Sequence, residues 1–445
     1  MSARLAGLGY GTCLVLVLGA VATIGAANAS GTPLALGYDN AAHRTYTDLL
    51  IRRGHIPRPA ESQEFNAPPG FYAVAGAAER IASRLGATKP WQVARALNVL
   101  FVLGAMILTL LIARELFPDH PQLQIAALAF AGFVPVVLKV TAMFHPEPLS
   151  LLASTLTIYL AVRMLARRTF ELALAALLGI TLGCSLLIRG FNLWLVPVVV
   201  GGLTAAVLAG TLPRRQAIRM TGVALAAAAL VSGPWYVRQA IEYSNPVVFN
   251  RTAPDRPVWS RRPLSFYTGL GLPDVLTHPW RPNFTNDLVP TLYSDIWGDY
   301  FGYFTWATDN GAEEPVALDG TRRHELVAQN LFGLVPTLLA VGGLVALLRR
   351  SLVAAEPALL LMGLLPVVGF LGFLAFTVSY PSNDGDVIKA SYLLTTVPGW
   401  AIGFGYAFER LARFRPGRVF VSLACGLALA SDAVFLLHRG PLGPF

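Results

Sequence analysis

The apolar runs of this sequence constrain its fold more than any other feature. About eleven stretches approach or exceed the roughly 20 apolar residues that a transmembrane helix needs. They lie near residues 8–29, 92–113, 122–142, 147–165, 171–188, 191–210, 218–236, 328–348, 356–378, 390–408 and 418–437. Charged residues make up only 13% of the chain, whereas soluble domains carry about 25%. The sequence therefore predicts an all-α integral membrane protein, a polytopic bundle of about 11 transmembrane helices.

Arginines occupy every second connection between these runs and so predict an orientation. Lys and Arg are enriched in cytoplasmic loops, which predicts a cytoplasmic N-terminus and a C-terminus on the opposite side. The basic residues are Arg4, Arg114, Arg163, Arg167, Arg168, Arg214, Arg215, Arg219, Arg349, Arg350, Arg410, Arg413, Arg415 and Arg418. Nucleic-acid binding needs basic residues clustered on one face. Despite the net charge of +9, we therefore expect no nucleic-acid partner.

The first apolar run has two interpretations. Ala27-Asn28-Ala29 resembles a signal-peptidase site, but a signal-peptide core is about 7–15 residues long. The apolar segment 5–27 is longer, which favours a retained first helix over a cleaved signal peptide. Cys13, Cys184 and Cys425 all lie inside apolar runs, where cysteine behaves as a small hydrophobic residue. We therefore predict neither a disulfide nor a zinc site.

Two long polar segments fall on the predicted outer side of a single transmembrane domain that spans residues 1–445. They are a first loop, 30–91, and a large loop, 237–327, with shorter turns near 143–146, 189–192 and 379–389. In the first loop, apolar residues recur at helical spacing over Asn40–Arg53 and over Pro69–Leu85. These patterns predict two short amphipathic helices, which often lie in the membrane interface.

Asp39 is the first candidate functional residue. Aspartate is favoured at helix N-caps, where its oxygen accepts an unpaired backbone N–H, so a purely structural role is one interpretation. The other is a general base, which must reach the proton it removes and titrate near working pH. Partial burial near lipid would raise the pKa of this carboxyl toward that range.

The first loop resembles that of GT-C glycosyltransferases in three ordered motifs. These are Asp39-Asn-Ala-Ala-His43, Gly54-His-Ile-Pro57 and Asn66-Ala-Pro-Pro-Gly-Phe-Tyr72. The resemblance to protein O-mannosyltransferases and aminoarabinose transferases implies a GT-C-like multi-span fold with a catalytic acid at Asp39 and a substrate contact at His43. Many relatives carry a second acid beside the first, and this chain has Asn40 there. A divalent cation is therefore left open and no metal ligand is assigned.

His145-Pro-Glu147-Pro forms a second acidic motif before the fourth predicted span. Pro and Glu both suit the first turn of a helix, which is a structural explanation. Ionisable residues at a membrane boundary are costly and often functional. The resemblance implies that Glu147 positions substrate or a metal and that His145 contacts phosphate or sugar.

Three cations lie near the predicted outer face: Lys139, Arg189 and Lys389. They could simply extend to the interface from helix ends. The resemblance implies a lipid-phosphate leaving group, whose negative charge needs fixed positive charge nearby. We therefore expect Arg189 and Lys389 to bind that phosphate, and Lys389 with Tyr392 resembles a late outer-loop motif of some relatives.

An aromatic segment, 293–306, contains Asp295, Trp297 and Asp299. Trp and Tyr commonly form belts at the membrane interface, which accounts for such a segment without any binding role. Aromatic rings also stack on sugars, and neighbouring acids bind sugar hydroxyls. We predict a role for these three residues in acceptor or sugar binding.

The function that the resemblance implies is an inverting glycosyltransferase of a bacterial plasma membrane. It would move a sugar from a polyprenyl-phosphate donor to a hydroxyl of a lipid, glycan or protein acceptor on the extracytoplasmic side. The sequence lacks a Gly-x-x-x-x-Gly-Lys-Ser/Thr motif, which argues against ATP-driven transport. A transporter or flippase of lipid-linked sugars is the alternative, although transporters often show repeated halves. A non-catalytic scaffold is a further one.

Overall fold

The structure is a computed structural model, and it describes residues 3–32, 34, 39–248, 262–280, 287–298, 320–380 and 388–437. Within these residues every regular element is helical. The α-helices are α1 (Ala3–Gly31), α2 (Asn40–Arg53), α3 (Gly70–Arg84), α4 (Pro90–Leu116), α5 (Pro121–Phe133), α6 (Pro135–Val140), α7 (Glu147–Arg167), α8 (Leu172–Ile188), α9 (Leu195–Leu208), α10 (Arg214–Tyr243), α11 (Leu264–Thr268), α12 (Asp274–Thr277), α13 (Leu288–Trp297), α14 (Gly320–Val353), α15 (Pro357–Ser379), α16 (Val397–Ala412) and α17 (Arg415–Leu437). Two 3-10 helices, Gly190–Trp194 and Ala390–Thr396, precede α9 and α16.

Within the part of the chain that the structure describes, seven helical segments are long and apolar enough to cross a bilayer, as expected for a multi-pass membrane protein. They are Gly9–Gly31, Pro90–Leu116, Glu147–Arg167, Gly190–Leu208, Arg214–Tyr243, Arg323–Val353 and Pro357–Ser379. Shorter apolar helices cover Pro121–Phe133 and Leu172–Ile188. The all-α membrane fold is therefore confirmed, whereas the number of eleven spans and the side on which each loop lies stay predictions.

The third predicted span, 122–142, is not one continuous helix. It is divided into α5 and α6 at Val134, whose backbone is extended (φ −59°, ψ 122°), and Pro135 begins α6. Proline has no N–H to donate and disfavours helical geometry in the residue before it. After this break, α6 leads the chain into the buried turn 141–146.

The two helices predicted in the first loop are confirmed as α2 and α3. Helix α2 ends at Gly54, whose positive φ of 69° is easily adopted by glycine. Gly70 begins α3 in close contact with α8, because a Cβ there would lie 2.6 Å from the carbonyl oxygen of Leu187. The Pro-Pro-Gly motif thereby places the first loop directly against the end of α8, next to Arg189.

Small residues let the membrane helices approach closely, as membrane interfaces favour. A Cβ at Gly343 of α14 would collide with the carbonyl oxygen of Gly403 in α16. The apolar core lies among these helices, and a second cluster around Tyr46, Phe71 and Phe144 supports the first loop. Four connections meet beside this second cluster. They are the connections that enter α2 and α7, the one that leaves α8 and the one that precedes α16.

Candidate active site

Asp39 precedes α2 in a left-handed backbone conformation, with φ 57° and ψ 11°. Aspartate tolerates this region better than most residues, and such conformations cluster at functional sites. Its side chain makes no capping hydrogen bond to α2, so the N-cap interpretation does not describe it. Instead Oδ2 accepts a hydrogen bond from Lys389 Nζ at 2.7 Å, and Oδ1 accepts one from Gln63 Nε2 at 3.3 Å.

The pKa of Asp39 shifts in the direction opposite to the one expected from the sequence. Burial is the largest single effect and raises this pKa, but Lys389, His43 and Arg189 together outweigh burial, and the pKa falls to about 2. The expected shift toward neutral pH was therefore wrong, since burial comes together with a cation only 2.7 Å away. Asp39 is ionised, and its side chain keeps 26% of its surface exposed.

Lys389 reaches Asp39 from the other end of the sequence. It directly precedes the 3-10 helix Ala390–Thr396, and its own side chain is 7% exposed. The carboxylate of Asp295 accepts a hydrogen bond from the backbone N–H of Ala390. Asp295 is itself buried, so it fixes the backbone that carries Lys389.

Two histidines join the first loop to the turn before α7. The rings of His43 and His145 are T-shaped with centroids 4.4 Å apart, and His43 Nδ1 lies 2.8 Å from the hydroxyl of Tyr72. Burial, with nearby cations, lowers the pKa of His43 to about 3 and that of His145 well below its usual value. Both imidazoles are therefore neutral. His43 Nε2 and both nitrogens of His145 are buried without a hydrogen-bond partner among the described residues.

Glu147 and Arg189 form a second buried ion pair beside the histidines. Arg189 Nε lies 3.0 Å from Glu147 Oε1, with side-chain exposures of 10% and 2%. Glu147 Oε1 also lies 4.0 Å from His145 Nδ1. The guanidinium of Arg189 lies over the ring of Tyr392 at 5.3 Å, and Lys389 Nζ lies 5.9 Å from the same ring. Tyr392 therefore contacts both cations.

The structure thus brings seven of the ten predicted site residues into one polar cluster, which we name the outer cluster after the side of the membrane that the sequence predicts for it. It consists of Asp39, His43, His145, Glu147, Arg189, Lys389 and Tyr392.

Two of the other three predicted residues are described, and neither belongs to the outer cluster. Asp295 supports the outer cluster from behind through Ala390. Trp297 donates its Nε1–H to Thr337 Oγ1 at 2.9 Å and packs on Gly333 of α14, so its role in sugar binding stays a prediction. Asp299 lies outside the described residues.

Lys139 is buried and donates to the carbonyl oxygen of Gly298 at 3.2 Å, which is not the placement of a residue that extends to the interface.

Sequence reasoning missed Glu64 as a site residue. Its Oε2 lies 3.8 Å from His43 Nδ1, and the residue is 8% exposed. Burial and the charge of Asp39 raise its pKa to about 7, although Arg189 and Lys389 act in the opposite direction. The available signal was its position, two residues before the Asn66-Ala-Pro-Pro motif.

Three residues of the outer cluster are arranged as metal ligands could be. One ligand atom from each of Asp39, His43 and His145 lies within 4.8 Å of the other two. Carboxylate oxygen and imidazole nitrogen are common ligands of Zn²⁺. The geometry alone would therefore accommodate a small cation, so the charges around it decide whether one fits.

This chain is similar to known proteins in its fold rather than in its sequence. No family model matches the sequence, and no curated protein sequence matches it. Among solved structures, the Archaeoglobus fulgidus oligosaccharyltransferase in its apo form aligns with a TM-score of 0.56 and 14% identity, over 95% of this chain and 56% of that chain. The same enzyme, AglB, in complex with an inhibitory peptide and a dolichol-phosphate, gives a TM-score of 0.58 and 13% identity, over 97% and 56%.

This chain has a GT-C fold. A second enzyme, ArnT from Cupriavidus metallidurans in the apo state, aligns with a TM-score of 0.50 and 14% identity, over 98% of this chain and 73% of that one. A further structure of the archaeal enzyme contains zinc and sulfate (TM-score 0.56, 16% identity, over 96% of this chain and 54% of that one). This chain spans 56% of the length of the oligosaccharyltransferase. At these identities the comparisons establish the GT-C fold, and they do not establish the activity of this chain.

Proposed function

We propose that this protein is an inverting membrane glycosyltransferase. It transfers a sugar from a polyprenyl-phosphate carrier to an acceptor hydroxyl on the extracytoplasmic side of a bacterial plasma membrane. The observation that carries the proposal is the outer cluster, in which four connections place two acids, two neutral imidazoles and two cations together. The similar structure of AglB contains a dolichol-phosphate, and a lipid phosphate of this kind is consistent with these cations.

Each part of the outer cluster suits one part of this reaction. Arg189 and Lys389 are fixed cations that would bind the phosphate, and Arg offers a fork of donors that matches phosphate oxygens. The unpaired nitrogens of His43 and His145 would bind sugar hydroxyls or phosphate oxygens. Such preorganised groups stabilise charge that develops in a transition state, and they need no rearrangement to do so.

Asp39 would accept a hydrogen bond from the acceptor hydroxyl. That oxygen attacks the anomeric carbon from the face opposite the phosphate, the bond from this carbon to the phosphate oxygen breaks, and the polyprenyl phosphate leaves with the electron pair. The hydroxyl proton passes to Asp39. Because the pKa of Asp39 is low, proton transfer follows formation of the new bond, when the attacking oxygen has become strongly acidic. Attack from the opposite face inverts the anomeric carbon.

The test is sugar transfer by purified protein in detergent, with a panel of polyprenyl-phosphate hexoses and pentoses as donors and release of polyprenyl phosphate as the readout. Asp39→Asn should lower turnover by about 10² to 10⁴, the usual contribution of a general base. Asp48→Asn is the matched control, because Asp48 lies on the same helix and pairs with Arg44 at 2.9 Å. Unchanged turnover in folded Asp39→Asn would refute the assignment. Movement of the lipid across vesicles without sugar release would indicate a flippase.

A further inference from the structure

A divalent metal is the cofactor that the ligand-like arrangement of Asp39, His43 and His145 suggests. The zinc in one structure of the archaeal oligosaccharyltransferase raises the same question. The three ligand atoms are close enough for a metal, so distance does not exclude one. The charges of the neighbouring side chains give a different answer.

Among the residues that the structure describes, two of the acids at this site are already paired with fixed cations. Asp39 is paired with Lys389 at 2.7 Å, and Glu147 with Arg189 at 3.0 Å. These four charges cancel, and Glu64 adds a further negative charge only above its raised pKa. A divalent ion would therefore place two uncompensated positive charges in a mostly buried site, and burying unpaired charge is strongly unfavourable.

We propose that Lys389 takes the place of a divalent cation at Asp39, so that the outer cluster operates without a metal. The ammonium lies directly on one oxygen, Oδ2, of the carboxylate that a metal would need. Its backbone is fixed by the Asp295 contact to Ala390, and its head lies near the ring of Tyr392. The catalytic meaning of this substitution rests on the proposed function, whereas metal exclusion can be measured without any activity.

The experiment measures binding of Zn²⁺ and Mn²⁺ to the purified full-length chain by calorimetry after chelation, with metal content determined by elemental analysis. The wild-type chain should bind neither ion stoichiometrically. Lys389→Met should create one site, with at least about 30-fold tighter binding, the factor that removing one charge roughly 4 Å from a dication gives even in bulk water. Adding Asp39→Asn to Lys389→Met should abolish the new site.

Lys89→Met is the matched control, because Lys89 is an exposed lysine at the start of α4 and its loss should create no site. Lys389→Arg keeps the cation and should also bind no metal. A stoichiometric ion in the wild type that is lost with Asp39→Asn would overturn the proposal. A folded Lys389→Met that gains no metal would overturn it as well, and if this variant fails to fold, the wild-type measurement decides alone. None of these results depends on sugar transfer, so failure here is distinct from failure of the proposed function.

Discussion

Glu64 should make this protein less stable as pH rises, and one substitution at this position should remove that pH dependence. Its carboxyl is buried, and its pKa rises from 4.5 to about 7 in the folded chain. Between these values the folded state keeps a proton that the unfolded state has released. Stability is therefore fully present below pH 4.5 and is lost as pH rises through 7. At 1.36 kcal/mol per unit, the loss between pH 5 and pH 8 is on the order of 2–3 kcal/mol.

Glu64→Gln imitates the protonated carboxyl and should remain stable at pH 8, on the order of 3 kcal/mol above the wild type by this linkage. Thermal unfolding in detergent, followed by tryptophan fluorescence from pH 5 to pH 8, measures the difference. Glu171→Gln is the control, since Glu171 is an exposed residue before α8 that makes no side-chain cap hydrogen bond. If Glu64→Gln shows the same pH slope as the wild type, Glu64 is not the group that titrates.

Two further substitutions test the supports of the outer cluster. Arg189→Met leaves Glu147 buried without its cation and should cost about 3–5 kcal/mol of stability. Adding Glu147→Leu should recover most of that stability. A double variant as unstable as Arg189→Met alone would contradict this explanation. Asp295→Ala removes the acceptor of the Ala390 N–H, so amide exchange over 388–396 should accelerate roughly tenfold, and an unchanged exchange rate would show that other contacts hold this segment.

Local patterns were sufficient to predict the membrane fold and the helices of the first loop. Helix α2 has the predicted bounds Asn40–Arg53, because its apolar spacing and its terminal Gly54 are both encoded locally. The division of the span 122–142 was missed although Pro135 was visible, since its flanks are uniformly apolar. An apolar run gives hydropathy but does not show where the backbone changes direction.

The pairings of the outer cluster could not be predicted from spacing. Asp39 and Lys389 are separated by 350 positions, and nothing local to either residue indicates the other. The pKa of Asp39 was mispredicted for that reason, because burial was inferred and its counter-charge was not. The role of Asp295 in sugar binding stays a prediction. The contact of its carboxylate with the Ala390 N–H could not be predicted, because it depends on how α13 meets the segment before α16.

The two buried ion pairs are not explained by stability. Replacing a buried ion pair with apolar residues of similar volume is often neutral or stabilising, whereas removing one partner is costly. A chain that needed only to fold could therefore fill this position with apolar side chains, as it does in the adjacent cluster around Tyr46 and Phe144. The outer cluster instead combines paired charges with unpaired imidazole nitrogens beside an aspartate that remains partly exposed. That combination is costly to fold and is suited to a charged substrate, which is why the proposed phosphate-linked donor accounts for it better than a scaffold does.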